Sequence, residues 1–138
     1  GFLSIFRANR TAARGEARAR DFPGVEPVPG DERSACVARS GLVVNTTQLG
    51  MKGEPPLEIS LAGALEDTVV SDIVYVPLET PLIRAARARG LRVSGGLGML
   101  LHQAAVGFSR WFGVMPEVDR ALHEAIAADL AGEGEGRP

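Results

Sequence analysis

Cysteine is almost missing from this chain. Cys36 stands alone among 138 residues, so no intrachain disulfide framework can exist, and a reducing, cytoplasmic setting is the simple expectation. Lysine is equally scarce: Lys52 is the single one, and the other basic side chains are arginine. Neither sign of charge dominates, since 15 basic and 17 acidic side chains leave a formal net charge of −2. Without a basic field, nucleic acid and anionic membrane are disfavoured as partners. No apolar run approaches the roughly 20 residues that a membrane helix needs. The apolar start, residues 1–6, lacks the basic flank and cleavage site of a signal peptide. Zinc-ligand spacing, a nucleophile paired with a base, and carboxylate pairs of clear role are all missing. His102 and His123 are isolated and read as surface or interhelical residues. There is no internal repeat. The chain also has no initiating Met and opens inside what reads as a strand, so it is expected to be a fragment or an incomplete gene product.

What remains is an ordinary globular composition, with 45% hydrophobic and 23% charged residues, enough for one domain with a core. Residues 2–6 and 42–45 read as strands buried on both faces. Residues 69–76, rich in β-branched side chains and ended by Pro77, read as a third strand, and residues 91–93 as a fourth. A short strand fits residues 25–28. Helices are expected over residues 11–20, 31–39, 81–89, 97–112 and from Pro116 to about Leu130. Thr80-Pro81 supplies a cap followed by proline at the first helical position, and Gly90 and Gly113 supply stops. Residues 131–138 read as a flexible polar tail. Alternating strands and helices predict an α/β fold with a mostly parallel sheet. In such sheets ligands sit beyond the C-terminal strand ends. That rule selects Asn9-Arg10-Thr11, Asn45-Thr46-Thr47, residues 75–80 and residues 95–99.

The selected residues carry identifiable chemistry. Arg10 and Arg14 lie one helical turn apart and can face one spot; an arginine at this place in a dinucleotide-binding fold accommodates the 2′-phosphate of NADP. Two solvated helix arginines are the plainer reading in an arginine-rich chain. Asn45-Thr46-Thr47 offers short polar groups to a phosphate or ribose, or forms an Asx-type turn. Both Asn-led triplets match the glycosylation sequon, a reading rejected because they end strands in a chain without a secretory signal. Gly95-Gly96-Leu97-Gly98 resembles a phosphate loop without its last glycine, and suits close approach of backbone to a flat ring. Gln103 is an amide on an otherwise apolar helix and needs a partner, either a neighbouring loop or a ligand. Met99, Phe108 and Trp111 read as core packing first and cofactor contact second. Cys36 reads as a small core hydrophobe.

Taken in order, four stretches resemble the shikimate dehydrogenase family. They are Asn9-Arg10-Thr11 with Arg14; Val44-Asn45-Thr46-Thr47-Gln48-Leu49-Gly50-Met51; Asp72-Ile73-Val74-Tyr75-Val76-Pro77-Leu78-Glu79-Thr80-Pro81-Leu82; and Gly96-Leu97-Gly98-Met99-Leu100-Leu101-His102-Gln103-Ala104-Ala105 with Phe108, Trp111 and Gly113. The resemblance covers about residues 1–125, running from the second strand of the family's nucleotide domain to its C-terminus. It implies a partial doubly wound, Rossmann-like domain over residues 1–130, without its first strand and glycine-rich loop. It also implies reduction of 3-dehydroshikimate to shikimate with NADPH, on the route to aromatic amino acids. By this resemblance Arg10 and Arg14 clamp the 2′-phosphate with Asn9 and Thr11 beside them, Thr47 lies by ribose and phosphate, and Gly98 and Met99 flank the nicotinamide; Asn45 is a cofactor-binding candidate from its place at the strand end. Tyr75 and Gln103 bind substrate, and the last helices pack on the substrate domain.

The family's catalytic Lys and Asp and its carboxylate-binding serines have no counterpart here, so catalytic residues are expected outside this chain and residues 1–138 alone are expected to show no turnover. The role of Gln48 stays open. Without a first strand, neighbouring strands are expected to lose ladder partners and leave a marginal or aggregation-prone chain. Two alternatives are kept: a quinate/shikimate dehydrogenase using NAD, and a non-catalytic paralogue that binds a small ligand. A homodimer is compatible with either.

Overall fold

The computed structural model describes residues 4–9 and 12–132, the side chains of residues 12–14 and 18 excepted. The expected strand residues Phe2 and Leu3, the expected site residues Arg10 and Thr11, and tail residues 133–138 lie outside the described residues. The elements run β1 (Ile5–Ala8), α1 (Ala12–Asp21), β2 (Val25–Val28), α2 (Arg33–Val37), β3 (Leu42–Asn45), β4 (Val69–Asp72), α3 (Pro81–Ala88), β5 (Arg92–Ser94), α4 (Gly96–Phe112) and α5 (Arg120–Gly132). Every strand pairing among the described residues is parallel, in two ladders of order β1-β2 and β3-β4-β5. This is the α/β class with helical connections and C-terminal helices that the strand–helix alternation predicts. The chain divides into two compact units: residues 1–41 with 59–65, and residues 42–58 with 66–138.

In the first unit, β1 pairs with β2 in register Ile5↔Val25 to Ala8↔Val28. The guanidinium of Arg39 lies 4.5 Å over the Phe6 ring. Segment 59–65 adds to this unit through α2: the Ser60 N–H donates to Ser34 Oγ at 2.9 Å, and Leu61, Cys36 and Val37 are buried. Cys36 is thus the core hydrophobe its setting predicts. β1 is not buried on both faces, because Ile5 is 52% exposed.

In the second unit, the core gathers Val70, Val74, Leu82, Ile83, Ala86, Leu91, Leu97, Leu101 and Ala105. α3 follows its sequence signals closely. The Thr80 hydroxyl accepts the Ile83 N–H, Pro81 fills the first position, and Gly90 adopts φ +73°. At its far end Leu91 N–H reaches Ala86 O and Gly90 N–H reaches Arg87 O, the paired bonds of a Schellman stop. α5 starts at Arg120, not Pro116, because the Asp119 carboxylate accepts the Leu122 N–H at 2.8 Å and caps the helix there.

Two further expectations about burial are corrected. Leu42 and Val44 share one face of β3 and are 42% and 46% exposed, so β3 is covered on one face only. Met99, Phe108 and Trp111 are exposed, Trp111 by 81%. α4, at 17 residues, extends about 25 Å, yet its buried stripe, Leu97, Leu101 and Ala105, ends midway. Its second half overhangs, and the Phe108 and Phe112 rings pack against each other tilted by 40°, centroids 4.5 Å apart.

Candidate functional site

The C-terminal ends of β3 and β4 are built alike. The parallel register places Asn45 beside Asp72, with both side chains on one face. Each ends its strand by an Asx turn: Asn45 Oδ1 accepts the Thr47 N–H at 3.0 Å, and Asp72 Oδ1 accepts the Val74 N–H at 3.0 Å. The two turns are joined, since Asn45 Nδ2 donates to Asp72 Oδ1 at 3.0 Å and to Leu49 O at 3.0 Å. The Thr80 hydroxyl donates to Asp72 Oδ2 at 2.7 Å. Asn45, Asp72 and Thr80 are at most 2% exposed, and no buried side-chain polar atom among the described residues lacks a partner.

This network explains where β4 stops. The expected strand over residues 69–76 ends at Asp72, because the carboxylate draws the Val74 N–H out of the ladder and Pro77 has none to give. Residues 73–76 instead bond outward: Ile73 N–H to Asn45 O, Lys52 N–H to Val76 O and Gly96 N–H to Val74 O. The residues that the strand-end rule selects do sit at strand ends, while the amide of Asn45 is spent inside the protein. Both of its hydrogens and its oxygen are committed, so Asn45 shapes the turn and does not face outward. Thr47 does face outward. Its hydroxyl donates to Asn45 Oδ1 at 2.7 Å and accepts the Leu49 N–H at 3.1 Å, which leaves one lone pair open to solvent.

Tyr75 is half-buried and, with Met51, Lys52 and Val76, lines a cavity of 270 Å³. Its phenol has no hydrogen-bond partner among the described residues. Gln103 is exposed and likewise has no partner among them, so the loop bond considered for its amide is not made. The glycines of residues 95–98 divide their work. A Cβ on Gly96 would stand 2.1 Å from Ile73 O and 2.7 Å from Val74 O, so this glycine seats α4 against the protein's own backbone just before Tyr75. At Gly98 a Cβ would meet nothing within 4 Å; that position is the open one, with Met99 beside it 39% exposed. Gly96 and Gln103 are seven residues apart on one helix, hence on one face about 10 Å apart.

In the first unit, Asn9 follows β1 and its Oδ1 accepts a bond from Arg7 Nε at 2.9 Å. Arg14 lies within α1. From sequence, Asp72 has no role, Thr80 only that of a cap, and Gly96 a place against a ligand ring, whereas the structure bonds Thr80 to Asp72 and sets Gly96 against the backbone of Ile73 and Val74. A cap signal marks Thr80, but its carboxylate partner follows only from the register of two strands 27 residues apart. Among the described residues no group of His, Cys, Asp and Glu could hold a metal, and no helix is long and apolar enough to cross a membrane.

Known proteins resemble this chain over nearly its full length. Residues 96–125 match a family model described as the shikimate 5′-dehydrogenase C-terminal domain. A shikimate dehydrogenase (NADP(+)) of Azorhizobium caulinodans is 57% identical over 98% of this chain and 48% of its own length. One of Acidiphilium cryptum is 60% identical over 90% of this chain and 45% of its own. Among solved structures, shikimate 5-dehydrogenase of Thermus thermophilus in complex with NADP(H) and shikimate superposes with a TM-score of 0.74 at 33% identity, over 93% of this chain and 46% of that one. Quinate dehydrogenase of Corynebacterium glutamicum in complex with NAD superposes with a TM-score of 0.79 at 30% identity, over 93% and 47%. The chain thus spans about half the length of the curated relatives it matches.

Proposed function

We propose that this chain, which resembles the C-terminal portion of shikimate dehydrogenases, is the cofactor-binding part of an NADP-dependent enzyme reducing 3-dehydroshikimate to shikimate. The observation that carries this reading is the junction at Gly96. It ties α4, with the open Gly98 and the partner-free Gln103, to the strand end that bears the partner-free Tyr75. Two polar groups with no structural employment thereby belong to segments fixed to each other, next to a position with room for a flat ring.

Bound NADPH would supply the hydride, and the protein supplies position and electrostatics. Gly98 and Met99 border the nicotinamide in this reading. Thr47 can accept a hydrogen bond from a ribose hydroxyl through its open lone pair without disturbing the turn, whereas donating to a phosphate would cost its bond to Asn45. Asn45 contributes through that turn. Arg10 and Arg14, with Asn9 and Thr11, clamp the 2′-phosphate. Tyr75 and Gln103 hold the substrate's oxygens. The acid that delivers the proton as the ketone becomes an alcohol lies outside this chain, as do a first strand and a glycine-rich loop. Residues 1–130 then make up the remainder of the dinucleotide-binding domain, and residues 131–138 a tail.

The likeness to an NAD-bound quinate dehydrogenase favours a second reading, an NAD enzyme acting on quinate or shikimate. Arg10 stands against it, since an acidic residue there would suit NAD. Coenzyme consumption by the full-length gene product distinguishes them. Turnover of 3-dehydroshikimate with NADPH is expected. Faster turnover with the NAD coenzyme would select the second reading, and no turnover with either would leave a small-ligand-binding paralogue.

A further inference from the structure

We infer that Asp72, which bears none of the contacts proposed above, is a positioning residue that sets Tyr75 for substrate. The inference rests on the reading that Tyr75 binds substrate.

The carboxylate lies three residues before Tyr75, which lines the cavity with Met51, Lys52 and Val76, and it reaches three segments at once. Oδ1 accepts the Val74 N–H, one residue before Tyr75, and the Asn45 amide. Oδ2 accepts the Thr80 hydroxyl. Asn45 in turn holds Leu49 O, and the chain then enters Gly50 and the opposite wall, Met51 and Lys52. That wall is tied back by the Lys52 N–H to Val76 O bond at 2.9 Å. Both walls of the 270 Å³ cavity are therefore referred to one buried group. Asp72 is 1% exposed, so it cannot itself be presented to a ligand in this conformation. Its effect must pass through what it holds. Tyr75 is the wall's partner-free hydroxyl, and its direction follows from the backbone at Val74.

A test uses the full-length gene product and a double-mutant cycle, which isolates the coupling between two sites. Tyr75→Phe is expected to raise the KM for 3-dehydroshikimate about tenfold. Asp72→Asn, nearly isosteric, presents an amide N–H₂ where the Thr80 hydroxyl now donates, and is expected to raise the same KM about tenfold. In the Tyr75→Phe background, Asp72→Asn should cost less than about twofold, because the group it positions is gone. Thr80→Val should behave as Asp72→Asn does, and Thr80→Ser, which keeps the hydroxyl, should restore the wild-type KM; these variants also serve if Asp72→Asn fails to fold. Equal factors in both backgrounds, or a Thr80→Val variant with wild-type KM, would overturn the inference while leaving the enzyme reading intact. A Tyr75→Phe variant with unchanged KM, or a wild type without turnover, would instead remove that reading and this inference with it.

Discussion

Replacing Gly96 by alanine is the sharpest perturbation available. The added methyl would begin 2.1 Å from Ile73 O, 2.5 Å from Ile73 C and 2.7 Å from Val74 O. An ordinary contact starts above 3 Å, so helix and strand end must part by about 1 Å. All three obstructing atoms are backbone, and no rotamer change relieves them. Overpacking of this kind costs roughly 1–3 kcal/mol, or a Tm lower by about 2–4 °C per kcal/mol in a protein of this size class. The larger effect should be functional. A displacement of about 1 Å between Tyr75 on one side and Gly98 with Gln103 on the other should lower kcat/KM by about 100-fold. Gly98→Ala is the control on the same helix. It meets no atom within 4 Å and should gain about 0.5–1 kcal/mol of stability from helix propensity, while raising the KM for NADPH if a ring lies against it. Thermal melts and steady-state kinetics of both variants in the full-length protein decide the matter. A Gly96→Ala enzyme with wild-type kcat/KM would refute the reasoning, because it would mean that the junction does not set the site.

Other outcomes follow from the same structure. Arg10→Ala should weaken NADP binding by about ten- to 100-fold, the worth of a charged hydrogen bond, with little change for NAD; equal losses by titration would contradict the phosphate clamp. Trp111, 81% exposed in this chain, tests whether the ring is covered in the full-length protein, where Trp111→Ala should change stability by no more than about 0.5 kcal/mol if it stays exposed. The expected outcome is a loss of about 3–5 kcal/mol, as for a covered ring, read from denaturant melts of the full-length wild type and variant. Asp119→Ala should cost about 1 kcal/mol by removing the cap of α5, read as lost helicity on mild heating. Residues 1–138 alone should turn over no 3-dehydroshikimate and should self-associate in light scattering, and a soluble monomer with a cooperative melt would count against that.

Local signals carried the helices well. Thr80-Pro81, Gly90 and Gly113 act through their own backbone geometry, and each terminates or starts a helix where its chemistry says. The errors arose where one local signal met another. Pro116 can open a helix, but Asp119 offers a side-chain acceptor and takes the start from it. The β-branched run 69–76 favours extension throughout, but Asp72 diverts the next N–H and ends the ladder. The candidate site was legible in the same partial way. Strand-end position singled out Asn45, Thr47 and Tyr75 without knowledge of the partners. Which of them faces outward depends on the Asn45↔Asp72 register, a pairing across 27 residues that no local pattern encodes. Once that pairing exists, the most polar of the three becomes the least available.

The exposed apolar surface carries the argument one step further. Leu42 and Val44 lie on one face of β3, while Trp111, Phe112, Val114 and Met115 crowd the end of α4 and the loop beyond it, the latter four between 61% and 81% exposed. Scattered exposed apolar residues are normal, but side chains this large in consecutive positions mark a surface that something covers. The buried polar side chains at the strand ends, Asn45, Asp72 and Thr80, are satisfied among the described residues, so these turns are set before any cover arrives. On the proposed reading, the strand-end turns around Asp72 form within this chain, and whatever covers the α4 end adds stability rather than shaping those turns. On that view, mutations at the Trp111 surface should alter the stability of the full-length protein, while those in the Asp72 network should alter the KM for substrate.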